Sequence, residues 1–223
     1  MGPLGIKALV MTDEDTLYAG TSQGLYRRSS DENSWKRVDL PPSNSHPSSK
    51  SSKPEAIQSI VISQGSGLYA ATEDQLFRQG GKDKTWESML MESTPGKIRG
   101  LAVNETVYAW TETAILWGER SRDGLFHWKN ISESLPQDLI IYTVLVEKDK
   151  RGSVMYAGTD RGLFWTRDKG KHWQSAQGSH AGHPVETIYT PAKGVLLLGS
   201  QEQGVLIAIN LSQKGILGRF WGQ

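Results

Sequence analysis

The chain repeats itself five times, and a period of roughly 40–50 residues commits a sequence to stacked supersecondary units before any single residue is weighed. The opening motif of the repeat is Ile6-Lys7-Ala8-Leu9-Val10, with counterparts that begin at Ile57, Ile98, Ile141 and Val185. Each is followed by a second motif, Leu17-Tyr18-Ala19-Gly20-Thr21 in the first copy, whose counterparts end in Thr72, Thr111, Thr159 and Ser200. Within a copy, four short runs alternate apolar and polar residues and are parted by Gly, Asp, Asn or Ser, the pattern of a four-stranded antiparallel meander. In the first copy the strands are expected at 6–11, 16–21, 24–29 and 35–40. One such sheet cannot cover both of its own faces, so the units have to stack on one another. The predicted fold is all-β: a five-bladed β-propeller of four-stranded antiparallel blades. It forms a single domain over 1–223, with blades at about 6–40, 57–91, 98–132, 141–176 and 185–223.

The third residue of each first strand is small (Ala8, Ser59, Gly100, Thr143 and Thr187), as crowding of inner strands around an axis requires. The repeating Tyr18, Tyr69, Tyr108 and Tyr156 are expected to fill the space between diverging blades. Between the first two copies lies a Ser/Pro/Lys-rich stretch, 41–56, with nothing to bury, which reads as a mobile inter-blade loop.

Twenty-five basic residues against 24 acidic ones leave a net charge of +1, so there is no bulk field to attract nucleic acid or an anionic membrane. No apolar run approaches the roughly 18–20 residues of a membrane-spanning helix, so no membrane insertion is expected. There is no cysteine, which removes disulfides and thiolate chemistry and leans toward a reducing or bacterial compartment, although no address signal is legible.

The turn before the fourth strand ends in Trp in the first four copies and is lost in the fifth, and here the chain resembles the Asp-box, or bacterial neuraminidase repeat, family. Thr166-Arg-Asp168-Lys-Gly170-Lys-His-Trp173 matches that family's Ser/Thr-x-Asp-x-Gly-x-x-Trp pattern in full. The stretch from Ser121 through Asp123 to Trp128 has Leu125 at the Gly position, and the one from Ser29 through Asp31 to Trp35 is one residue short. The turn ending at Trp86 keeps only the Trp. The resemblance implies a structural role for these residues, the carboxylate binding its own turn and the Trp packing between blades, so Asp31, Asp123 and Asp168 are not nominated as acids of a reaction. Photosystem-assembly propellers carry related repeats.

The sialidases that share this repeat need an arginine triad and a Tyr–Glu pair, and neither is recognisable. Arg27 and Arg78 occupy third-strand positions that carry Trp117 and Trp165 in later copies, which marks them as inter-blade or surface residues. His180 and His183 form a pair without a third placed ligand, so no metal is expected, and no phosphate loop or nucleophile elbow asks for a cofactor. The turns between second and third strands offer Glu73, Asp74, Glu112, Asp160, Arg161 and Glu202, an acidic set suited to a basic or polar partner. The function expected is a non-catalytic binding or scaffolding module that presents loops to a protein partner. The alternative is a carbohydrate-binding, lectin-like propeller or a degenerate glycoside hydrolase.

Overall fold

The computed structural model describes residues 5–41, 55–63, 67–80, 84–89, 94–122, 126–149, 152–178, 181–192, 194–209 and 217–220. Asp123, His180 and nearly all of the 41–56 stretch lie outside them. The chain is a five-bladed β-propeller, and it divides into two compact units, Met1–Ala109 with Trp117–Lys129 and Trp110–Leu116 with Asn130–Gln223.

The first sheet comprises β1 (Ile6–Met11), β2 (Thr16–Thr21), β3 (Gly24–Ser29) and β4 (Lys36–Val38) in that order. The second comprises β5 (Ser59–Ser63), β6 (Gly67–Ala71), β7 (Leu76–Gly80) and β8 (Thr85–Met89). The third, with the same meander order, holds β9 (Gly100–Val103), β10 (Val107–Trp110), β11 (Ile115–Arg120) and β12 (Phe126–Asn130). The fourth is made of β13 (Ile141–Asp149), β14 (Gly152–Thr159), β15 (Gly162–Thr166) and β16 (Gln174–Ser175). The first sheet's outer strand is shorter than the 35–40 expected from sequence.

The fifth sheet departs from the four-stranded expectation. Beyond β18 (Thr187–Ala192), β19 (Val195–Ser200), β20 (Gly204–Ile209) and β21 (Leu217–Phe220) it gains β17 (Gln177–Gly178), which pairs parallel with β21. The fourth sheet's last strand is only two residues long, and the chain leaves it through the buried Ala176, whose N–H still donates to Leu163 O at 2.8 Å. Two residues further on, the backbone covers an edge that would otherwise stand unpaired.

The core lies between neighbouring sheets. Tyr18 packs with Ile57, Ile60 and Leu68 of the second blade. Tyr69 packs with Ile98, Leu101 and Val107 of the third, and Tyr156 with Val185, Ile188 and Leu196 of the fifth. In these three blades the repeating tyrosine is therefore a bridge from its own blade to the next.

The residue leading into each new blade is the second repeated device. Ile57, Ile98 and Val185 are fully buried, and their N–H groups donate to Thr21 O, Glu73 O and Thr159 O at 3.0, 2.7 and 2.9 Å. Ile141 donates likewise to Glu112 O at 2.8 Å. In the first and fourth blades glycine before the terminal Thr of the second strand accommodates this approach: a Cβ on Gly158 would stand 2.4 Å from Val185 O, and one on Gly20 would stand 2.7 Å from Ile57 Cγ2.

Candidate functional site

In an antiparallel meander the turn between second and third strands and the turn between third and fourth fall at opposite ends of a blade. At both ends many of the turn side chains are already engaged.

At the first end, the Thr that ends the second strand closes the turn. Thr21 Oγ1 donates to Gly24 O at 2.9 Å and accepts from Gln23 N; Thr159 Oγ1 donates to Gly162 O at 2.8 Å and accepts from Arg161 N. Thr72 Oγ1 donates to Asp74 Oδ1 at 3.0 Å and accepts from Gln75 N, while Thr111 accepts from Ala114 N at 3.1 Å. All four threonines are buried. Such hydroxyl–backbone turns supply internally the partners that the buried backbone needs.

Several of the acidic residues expected to form a mouth are tied into the same framework. Glu73 pairs with Lys97 at 2.5 Å, and the hydrogen bond from Lys97 holds the Glu73 carboxyl below the usual carboxylate range. Asp160 Oδ1 accepts from Ile140 N at 2.9 Å, and Arg161 reaches back to Asp138 O at 3.3 Å. Burial, with the Asp74 charge adding to it, raises the carboxyl of Glu55. Glu112 and Glu202 are exposed at the tips of their turns.

At the opposite end, the fourth blade's turn is organised around Thr166 and Asp168. Thr166 Oγ1 donates to Asp168 Oδ1 at 2.7 Å and accepts from Gly170 N at 3.2 Å, and Asp168 Oδ1 also accepts from His172 N at 2.9 Å. Trp173 is half-buried, with Nε1 donating to Ile131 O at 2.7 Å and its backbone N–H to Ser134 Oγ at 3.2 Å. Trp86 and Trp128 are partly buried, Trp86 edge-on to Tyr18 and Trp128 tilted against Phe126.

The first blade corrects the sequence reading. Asp31 is exposed and makes no hydrogen bond among the described residues, and Trp35 is 41% exposed. Glu32 does the work instead, accepting from Ser29 N at 3.2 Å and pairing with Lys36 at 2.5 Å. The turn is one residue shorter, so the carboxylate that reaches back to Ser29 is one position later and one methylene longer.

Asp168 makes a test by acid. The His172 N–H, then the Thr166 hydroxyl, stabilise its ionised form and hold its carboxyl well below the ordinary range. A depressed carboxyl contributes stability that is fully present above about pH 4, its unfolded value, and fades as pH falls toward the folded one. The stability advantage of wild type over Asp168→Asn in urea unfolding is therefore expected to be flat from neutral pH to about 4 and to narrow below it. A gap that holds constant in that acid range would contradict it.

An open cleft lies elsewhere among the described residues. Between the first and second sheets, on the end carrying the β1–β2 turn, lies a cleft of about 560 Å³. Arg27 lines it from β3, directly opposite Tyr18 in register, while Arg78 of β7 borders it and stands opposite Tyr69, the tyrosine that packs on the third blade. In the fourth blade the same register position, opposite Tyr156, holds Trp165, whose indole packs on the core. Tyr18 Oη and Gln79 meet across the floor at 3.3–3.4 Å, and an ion pair between Glu14 and Lys84 joins the two blades at the rim. Arg27 Nη1 donates to Ser29 Oγ at 3.4 Å. The Trp-to-Arg change was visible in the aligned repeats; the cleft beside Arg27 was not. Among the described residues there is no cluster of three or more His, Asp or Glu side chains that could hold a metal.

No family's sequence profile matches the chain, and no curated protein matches it. Solved structures do. The extracellular domain of BT4673, a one-component system protein of B. thetaiotaomicron, superposes with a TM-score of 0.67 over 92% of this chain and 27% of its own, at 19% identity. YCF48 bound to a D1 peptide gives 0.65 over 97% and 67%, at 11% identity, and an ancestral GH74 enzyme gives 0.68 over 94% and 31%, at 17%. These relatives are β-propellers, and the likeness establishes the propeller class of the fold. The chain spans about a quarter of BT4673's domain and two thirds of YCF48.

Proposed function

We propose that this chain is a non-catalytic binding module whose propeller frame presents loops to a protein partner. The observation that carries this reading is the contrast between turn backbone and turn side chains. Each of the first four blades closes its second turn with the same buried Thr and ties the next blade to it. The residues held up by those four turns differ: Ser22-Gln23, Glu73-Asp74, Glu112-Thr113 and Asp160-Arg161. A rigid frame with non-repeating side chains suits one asymmetric protein surface, whereas a lectin would offer similar sugar pockets blade after blade. YCF48, seen with a peptide, supports the reading as a fold-level analogy. Within it, the Thr166–Trp173 turn acts as an Asp-box-like hairpin staple.

Glu112 and Glu202 are the exposed acidic tips, and their reversal is the test. Affinity capture from the lysate of the source organism, run beside a glycan array, is expected to return a defined protein and no glycan. The Glu112→Lys, Glu202→Lys variant should hold that partner more weakly, with a flatter salt dependence and an unchanged melting temperature. Saturable glycan binding without a protein partner would transfer the chain to the carbohydrate-binding class.

A further inference from the structure

Blades in this fold meet at fixed repeat positions, and on the first blade those positions are exposed. The residue leading into a blade and the one three further on are buried against the preceding blade in the second, third and fifth sheets, as Ile57 and Ile60, Ile98 and Leu101, and Val185 and Ile188. The first blade carries Ile6 and Leu9 there, at 66% and 59% exposed. Met11, two residues beyond Leu9 and so on the same side of β1, is 61% exposed. We infer that this face is covered by the fifth blade of a second copy of the chain, with Tyr189 and Val205 set against Ile6, Leu9 and Met11.

The covering face of a blade is as regular as the receiving one. In the first, second and fourth blades the repeating tyrosine stands in register opposite an aliphatic residue of the first strand, Val10, Val61 or Leu145, and each of these packs on the same inter-blade cluster as its tyrosine. In the fifth blade the pair is exchanged between strands: Leu197 stands at the tyrosine position and Tyr189 is opposite it. The aromatic–aliphatic pair is kept. The leucine that completes the face, Leu25, Leu76 or Leu163, is at most 1% exposed in those blades, and its counterpart by register in the fifth is Val205. Yet Tyr189 is 63% and Val205 60% exposed.

Each chain thus carries one exposed receiving face and one exposed covering face of the same repeated interface. Grouped large apolar side chains at this exposure mark an interaction surface, and the relief that fits β1 is the one that fits its counterparts in the second, third and fifth blades. The contact is heterologous, because two different patches meet, and two copies close on each other by making it twice. Dilution returns the separate chain, in which Tyr189 is a surface residue.

Light scattering behind gel filtration of the whole chain tests the pairing: the mass is expected to rise from one chain toward two as concentration rises. Leu9→Glu and Val205→Glu, each setting an unpaired charge into the contact, should each weaken self-association about tenfold or more. Both residues are exposed, so melting temperatures of the dilute chain should hold. Met11→Glu and Tyr189→Glu repeat the design at a second position on each face. Mixing separates this pairing from any other. The fifth blade of Leu9→Glu and the first blade of Val205→Glu are both intact, so fluorescein-labelled Leu9→Glu should bind Val205→Glu at least tenfold more tightly than it binds unlabelled Leu9→Glu, read by anisotropy. Wild type that remains a single chain at every concentration overturns the inference, and so do folded variants that associate as wild type does. Loss of association in both variants with no recovery on mixing overturns the match of first blade to fifth.

Discussion

Replacing Tyr156 by Ala is expected to destabilise the protein by about 3–5 kcal/mol, the range for truncating a large buried aromatic. Tyr156 is 1% exposed and sits among Val154, Leu163, Ile188, Leu196 and Leu198, so its ring belongs to the packing of the fourth blade against the fifth. Removing it leaves a cavity lined from two sheets, and each sheet is fixed by its own ladder, which limits collapse into the space. The matched control is Tyr189→Ala: this tyrosine, on the first strand of the fifth blade, is 63% exposed, and its loss should stay within about 0.5 kcal/mol. Equilibrium urea unfolding of both variants makes the comparison. A Tyr156→Ala loss no larger than that of Tyr189→Ala would show that the inter-blade cluster is not the source of stability.

Gly170→Ala is the second large effect, expected at about 3 kcal/mol from two additive causes. Its φ is +81°, a backbone region costing an L-residue about 1–2 kcal/mol. In addition, a Cβ would stand 2.2 Å from Ile131 O and 2.8 Å from Ile131 Cβ, so backbone has to move, at a further cost of about 1–3 kcal/mol. The same Ile131 carbonyl accepts the Trp173 indole N–H, so the displacement also loosens that bond. Gly204 separates the two causes. Its φ is +70° but no atom lies within 4 Å of an added Cβ, so Gly204→Ala should show the conformational part alone, about 1–2 kcal/mol. Equal losses at the two glycines, measured by the same unfolding experiment, would remove steric contact with Ile131 from the account.

The glycines and tyrosines show how far the chain can be read unaided. Period, strand alternation and the recurrent Tyr are local or periodic properties. They identified the meanders, the blade count and the inter-blade placement of Tyr18, Tyr69 and Tyr156, because a side chain's face in a strand follows from its place in an alternation of two. The terminal Thr of each second motif was equally visible as a repeat, but its role was not. Hydroxyl closure of a turn depends on where the backbone N–H groups two and three residues on are pointing.

Other features depended on distances between segments far apart in sequence. A turn shortened by one residue transferred the work of Asp31 to Glu32, since the reach of a carboxylate is decided by turn geometry and not by residue type. Ala176 carried the chain across to the fifth sheet, a step that a four-strand period does not contain. Glu73 and Asp160, read as a free acidic surface, are engaged by Lys97 and by the Ile140 N–H. The cleft followed the same rule. Sequence placed Arg27 where later blades carry Trp, while the packing of the first two sheets decided that a cleft stays open beside it. Composition and periodicity determine which faces are buried, because burial is a property of a strand's alternation; only tertiary structure decides which polar groups find partners, because a hydrogen bond is satisfied within about 3 Å or not at all.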